Sequence, residues 1–167
     1  MAGLPNDLGS LRLRLDLVDR EAPLVGPGVA AEGGSIPSGR LLARTAVEYL
    51  DPRDGEWWPL VSLPVLHLRA DEARSLALGL EDLLRGAALG FSWQSEEDGA
   101  LGLQLGTPEA PGEPLVVEVG LDLSRFLAEV GGGPPRPGTE LALFRFRATR
   151  AATVAFADAV RREAEGL

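Results

Sequence analysis

Leucine falls on every second position from Leu11 to Leu17, with Arg12, Arg14 and Asp16 between, and this period of two constrains the fold more than any other feature. Successive side chains of a strand point to opposite faces, so such a run buries one face and wets the other. The reading gives a strand over 11–18. A second strand over 40–50 places Leu41, Ala43, Thr45, Val47 and Tyr49 on one face. Further strands are expected over 56–68, 89–95, 100–106, 115–121 and 139–147. In the last, Leu141, Leu143 and Arg145 alternate with Ala142, Phe144 and Phe146. Pro59 and Pro64 interrupt 56–68, which predicts an edge position, a bulge or two short pieces. Two short polar stretches, Asp51-Pro52-Arg53-Asp54-Gly55 and Glu96-Glu97-Asp98-Gly99, have the composition of turns.

The period changes at 70–85, where Ala73, Leu76, Ala77, Leu80, Leu83 and Leu84 recur at spacings of three and four. That stripe predicts a helix whose first turn carries Asp71 and Glu72 and whose end is Gly86. A short helix is expected over 123–130, capped by Asp122 or Ser124. A closing helix over 150–165 follows, with Thr149 at its cap and Ala152, Phe156, Ala159 and Val160 inward. Residues 19–39, 107–114 and 131–138 are rich in Gly and Pro and read as connections. No internal repeat at a fixed period is visible. The expected class is α+β: a mostly antiparallel sheet covered by one long central helix and a C-terminal helix, in a single domain over 1–167.

Chemistry is limited by what the chain lacks. There is no Cys, a single His, and all sixteen basic residues are Arg. Without Lys there is no usual P-loop, no Schiff base and no kinase signature. Without Cys there is no thiolate nucleophile and no thiolate zinc site. His67 would have to serve any Ser-His-Asp triad, yet Ser35, Ser38, Ser62 and Ser92 all lie outside a Gly-Xaa-Ser-Xaa-Gly elbow. Glu96, Glu97 and Asp98, with Glu109 and Glu113 nearby, are carboxylates in turn-forming segments and read as solvated charges. No catalytic residue, metal ligand or cofactor is assigned.

The net charge of −9 disfavours binding to nucleic acid, which depends on basic side chains displacing counterions. It suits encounter with a basic partner protein, and it also simply favours solubility. Residues 1–10 lack a basic, apolar leader, and no segment approaches the roughly 20 apolar residues that span a membrane. A cytoplasmic protein that does not engage membranes is therefore expected. Trp57 and Trp58 are adjacent in a strand, so at most one points straight into a one-sided core. The other packs under a covering element or lies exposed. If exposed, it marks a partner surface together with Arg53, Asp54 and Glu56, and Glu96, Glu97 and Asp98 are the further candidates for partner contact. Trp93 shares a face with Phe91 and is expected in the core.

The order of elements over 63–167 carries a resemblance. Leu68-Arg69-Ala70-Asp71-Glu72-Ala73 opens a helix, sheet strands follow, and the strand Leu143-Phe144-Arg145-Phe146-Arg147 leads past Thr149 into a closing helix. This layout resembles small acidic bacterial proteins of the WapI immunity type and related families. The resemblance implies a protein that neutralises a toxin by binding it, and it brings no catalytic residues. It leaves the strand at Leu11 and the stretch up to Gly39 unaccounted for. The expected function is thus that of a non-enzymatic protein-binding domain, an immunity protein or an adaptor. Two alternatives stand beside it: a self-assembling component that forms homo-oligomers through a sheet edge, and a carboxylate-based, metal-dependent enzyme.

Overall fold

In the computed structural model, residues 1–20, 40–96, 99–107, 112–124 and 141–166 are described. They carry a four-strand meander and a helix, twice over. Strands β1 (Ala2–Pro5), β2 (Leu11–Arg20), β3 (Arg40–Leu50) and β4 (Trp57–Arg69) run into α1 (Ala70–Arg85). Strands β5 (Gly90–Gln94), β6 (Leu101–Gly106), β7 (Leu115–Asp122) and β8 (Leu141–Ala148) run into α2 (Arg150–Gly166). Each meander forms its own antiparallel sheet, in the orders β1-β2-β3-β4 and β5-β6-β7-β8. The α+β class and the antiparallel pairing agree with the periodicity. The strands divide into two sheets of four, and the two helices are of nearly equal length, 16 and 17 residues.

The sequence shows no repeat, whereas the structure repeats an order of elements. No fixed period survives because the corresponding strands differ in length, 13 residues in β4 against 8 in β8. One strand, β1, is not anticipated at all. Its four residues include a proline and are too few to display a period, and it forms by pairing Ala2–Pro5 with Arg12–Leu15 of β2. Strand β2 runs past the expected end at 18, because Asp19 and Arg20, expected in the connection 19–39, pair with Leu42 and Leu41 after a bulge. The rest of that connection, 131–138 and the helix expected at 123–130 beyond Ser124 lie outside the described residues. Asp122 does place Oδ1 2.9 Å from the amide of Ser124, which donates to it.

Burial follows the periodicity. Leu13, Leu15, Leu41, Ala43 and Val47 of the first sheet are buried, as are Leu103, Leu105, Val117 and Val119 of the second. The helical stripe Ala73, Leu76, Ala77, Leu80, Leu83 and Leu84 is buried throughout, and Gly86 closes α1 in the left-handed region at φ 77°. Each fully buried leucine contributes about 1.5–3 kcal/mol by its removal from water. Thr149 caps α2, its Oγ1 accepting the amide of Ala152 at 3.1 Å. Both sheets and both helices contribute to one hydrophobic cluster.

The helices tie the halves together crosswise. Helix α1 packs along β5, where Phe91 lies against Gly79 and the Trp93 indole donates to Ser75 Oγ at 3.2 Å. Helix α2 returns to β1 and β2 of the first sheet. There Glu163 accepts the amide of Leu17 at 3.1 Å and pairs with the amino group of Met1. Among the described residues no helix is long and apolar enough to cross a membrane.

The prolines of β4 act as anticipated. This strand lies at the sheet edge, and its register against β3 shifts twice, near Pro59 and near Pro64. A proline cannot donate to a ladder, so the chain bulges where one falls.

Candidate functional site

The turn Asp51–Gly55 delivers the chain into β4 and fixes the two tryptophans. Gly55 takes φ 74° and donates to the carbonyl of Asp51 at 2.8 Å. Asp51 is buried, and its carboxylate holds the highly exposed Arg53 side chain, with Nη2 to Oδ2 at 2.5 Å. That hydrogen bond and one from the Arg53 amide hold the Asp51 carboxyl below the usual carboxylate range. The same contact raises the Arg53 guanidinium. Asp51 has the depressed pKa, so whatever it adds to folding is present above the unfolded carboxylate value and is lost as pH falls through the folded one.

Trp57 and Trp58 then point to opposite faces, as adjacent strand residues must. Trp57 pairs across with Leu50 on the outward face of the first sheet, and Trp58 pairs with Tyr49. Trp58 is 51% exposed, and Leu60, in the first bulge, is 49% exposed. Arg53, Asp54 and Glu56 are exposed in the adjoining turn. These five residues lie together in the turn and the first residues of β4, and Trp57 stands on the opposite face beside Arg12. Glu96 does not join them: it lies near Arg69, at the far end of β4, with Arg69 Nη2 3.3 Å from its Oε2. Thirteen residues at about 3.3 Å each separate those ends by roughly 40 Å. Glu97 and Asp98 lie outside the described residues.

Beside Trp57 is a cluster that the sequence alone does not assemble. Glu48 is 3% exposed although it faces outward. Its carboxylate takes Arg12 Nε at 2.6 Å and Arg14 Nη1 at 2.8 Å, and Arg14 Nε also donates to Asp16 at 2.7 Å. The Arg12 guanidinium carbon lies 4.2 Å from the Trp57 ring centroid, a cation–π contact. Burial works against the charge on Arg14, but its bonds to Asp16 and Glu48 prevail and raise its pKa. Arg14, Arg44, Glu48, Trp57 and Ser62 border a groove of about 420 Å³ on this face. The signal was present in the alternating Arg12, Arg14 and Asp16, but only the register, Arg12 opposite Glu48, reveals the pairing.

Replacing Glu48 by Gln keeps the shape and removes the charge that two guanidinium groups share. Both arginines remain partly in water, so the expected loss is about 1 kcal/mol rather than the larger cost of a fully buried pair. Chemical denaturation of Glu48→Gln, with an unchanged slope and an earlier midpoint, is the check.

His67 lies opposite Leu42 on the outward face of the first sheet, five positions along β4 from Ser62, which stands opposite Ala46 on the same face, and Ser92 belongs to the second sheet. Ser35 and Ser38 lie outside the described residues. His67 does not line the groove on either sheet face. Among the described residues no group of three His, Cys, Asp or Glu side chains is placed to hold a metal ion. Among the described residues the architecture is a pair of meanders whose two helices pack between them on the inner faces. No family model, curated protein or solved structure matches this chain.

Proposed function

We propose that this protein is a non-enzymatic binding domain, an immunity protein or an adaptor, which holds a partner protein against the exposed margin of β4. The observation that carries this reading is Trp58, half exposed on an edge strand whose other side pairs with β3. A tryptophan left in water on ordered structure offers a large contact area with few torsions to freeze. Leu60 extends the apolar surface, and Arg53, Asp54 and Glu56 supply the polar rim that surrounds such contacts. The net charge of −9 favours a basic partner through steered encounter. Under the resemblance to the WapI immunity type that partner is a toxin, met in the cytoplasm and neutralised by occupation. The reading requires no cofactor.

The test is retrieval of the partner from the native host with the tagged full chain. Wild type is expected to retrieve one protein in near-stoichiometric amount. Trp58→Ala is expected to weaken that complex by about tenfold or more, equal to roughly 1.4 kcal/mol. Its thermal midpoint should stay within about 2 °C of wild type, because the side chain is already half in water. Retrieval of no stoichiometric partner would count against binding as the function. A partner held equally well by Trp58→Ala and Leu60→Asp would remove the site.

A further inference from the structure

The outward face of the second sheet contains four glycines that nothing among the described residues requires. Gly90 stands opposite Gly106, and Gly102 opposite Gly120. None has a positive φ. A methyl group at Gly106 would meet nothing within 4 Å, and at Gly90, Gly102 and Gly120 its nearest neighbours would lie at 3.5–4.0 Å, ordinary contact. Each glycine in a strand costs about 0.5–1 kcal/mol relative to alanine through backbone entropy. Bare backbone of this kind marks a place where another body comes close.

The same face is tall on one side and low on the other. Along β8 stand Leu141, Leu143, Arg145 and Arg147, with Leu143 72% exposed. Across β5 and β6 the outward positions are Gly90, Ser92, Gln94, Gly102, Gln104 and Gly106. Between the two lies a trough of about 760 Å³. A ridge and a furrow on one surface are the relief that a two-fold, isologous contact uses.

We propose that this face is a homodimer interface, in which β8 of one copy seats on the β5–β6 floor of the other. A two-fold axis in the interface and parallel to the strands brings those elements together on both sides at once. Charge selects a second copy over a basic partner. The outward rows carry Arg145 and Arg147 against Glu118 and Asp122, with Arg145 Nε 3.3 Å from Glu118. This patch is balanced in a chain of net charge −9, so two copies meet here without the repulsion they meet elsewhere. A basic partner would be drawn to the acidic surface outside it. Four strands about 4.8 Å apart and six to eight residues long give a footprint of roughly 450 Å² per copy. Twice that is below the roughly 1,200 Å² of standard interfaces, so the dimer is weak and concentration-dependent.

Sedimentation equilibrium of the purified full chain, from about 1 µM to about 1 mM, reads this directly. A monomer–dimer equilibrium is expected within that range. Leu143→Asp and Gly102→Gln are each expected to raise the dissociation constant at least tenfold while leaving circular dichroism unchanged. Either variant suffices if the other fails to fold. Val65→Asp, at an exposed position of β4 in the first sheet, and Trp58→Ala should both leave the equilibrium as in wild type. A monomer at every concentration, or a dimer that survives both Leu143→Asp and Gly102→Gln, overturns the proposal. Neither outcome bears on the β4 margin.

Discussion

Glu72→Ala is expected to destabilise the protein by about 3 kcal/mol and to lower its melting temperature by roughly 6–12 °C. Glu72 is 3% exposed, and each of its carboxylate oxygens has a separate task. Oε2 accepts the amide of Arg69 at the start of α1, at 2.5 Å. Oε1 accepts the amide of Glu96, beyond β5, also at 2.5 Å. One side chain thus closes the helix terminus and fastens the second meander to it. Truncation leaves two backbone donors without an acceptor, at about 1–3 kcal/mol each where water cannot replace it. Around this point Arg69 donates to Asp71, which holds the Asp71 carboxyl below its ordinary range and raises the Arg69 guanidinium. That outer pair is exposed and cannot substitute for the inner one. Glu72→Gln keeps one carbonyl oxygen as an acceptor and should lose about half as much. Hydrogen exchange at the Glu96 amide should accelerate in both variants, and a melting temperature unchanged in Glu72→Ala would remove the clasp from the account.

The second large effect runs against helix propensity. Gly79 lies in the interior of α1, where alanine is normally preferred by about 1 kcal/mol. A methyl group there would stand 2.1 Å from Cε2 and 2.7 Å from Cδ2 of Phe91. No relaxation of a few tenths of an ångström relieves such an overlap, so the ring must leave its place against the helix. Overpacking of this kind costs about 1–3 kcal/mol, and severe overlap belongs at the upper end. Gly79→Ala is therefore expected to destabilise by about 2 kcal/mol net. Phe91→Leu should recover most of the loss when added to Gly79→Ala, and the coupling in that double-mutant cycle is the decisive number. Additive effects would show that the ring and the glycine do not meet.

These two positions also mark where sequence reasoning stops. The helix at Ala70–Arg85, the strand at Arg40–Leu50 and the cap at Thr149 were legible because each is a local pattern. Glu72 read only as a favourable charge in a first helical turn, since its second oxygen serves a residue 24 positions away. Gly79 carries no signal in the sequence, because the ring that lies against it comes from β5. The division of eight strands into two sheets is likewise a matter of pairing between distant segments, and alternation along one strand is silent on its neighbour. The candidate site was half legible. Opposed directions for Trp57 and Trp58 follow from strand geometry. The one left exposed is Trp58, paired with Tyr49, while the outward Trp57 is half-buried against Arg12, and alternation alone does not tell which of the two stays in water. The buried Glu48 held by Arg12 and Arg14 needed the register, and the separation of Glu96 from the tryptophans needed the length of β4.

The central claim is that a partner contacts the β4 margin at Trp58. A photo-crosslinking amino acid placed at position 58, and separately at position 89, interrogates it in the complex taken from the native host. Leu89 is the more exposed of the two, 89% against 51%, so accessibility alone favours the control. The expected result is a covalent adduct with the retrieved partner from position 58 and none from position 89. Adducts from position 89 alone would contradict the account.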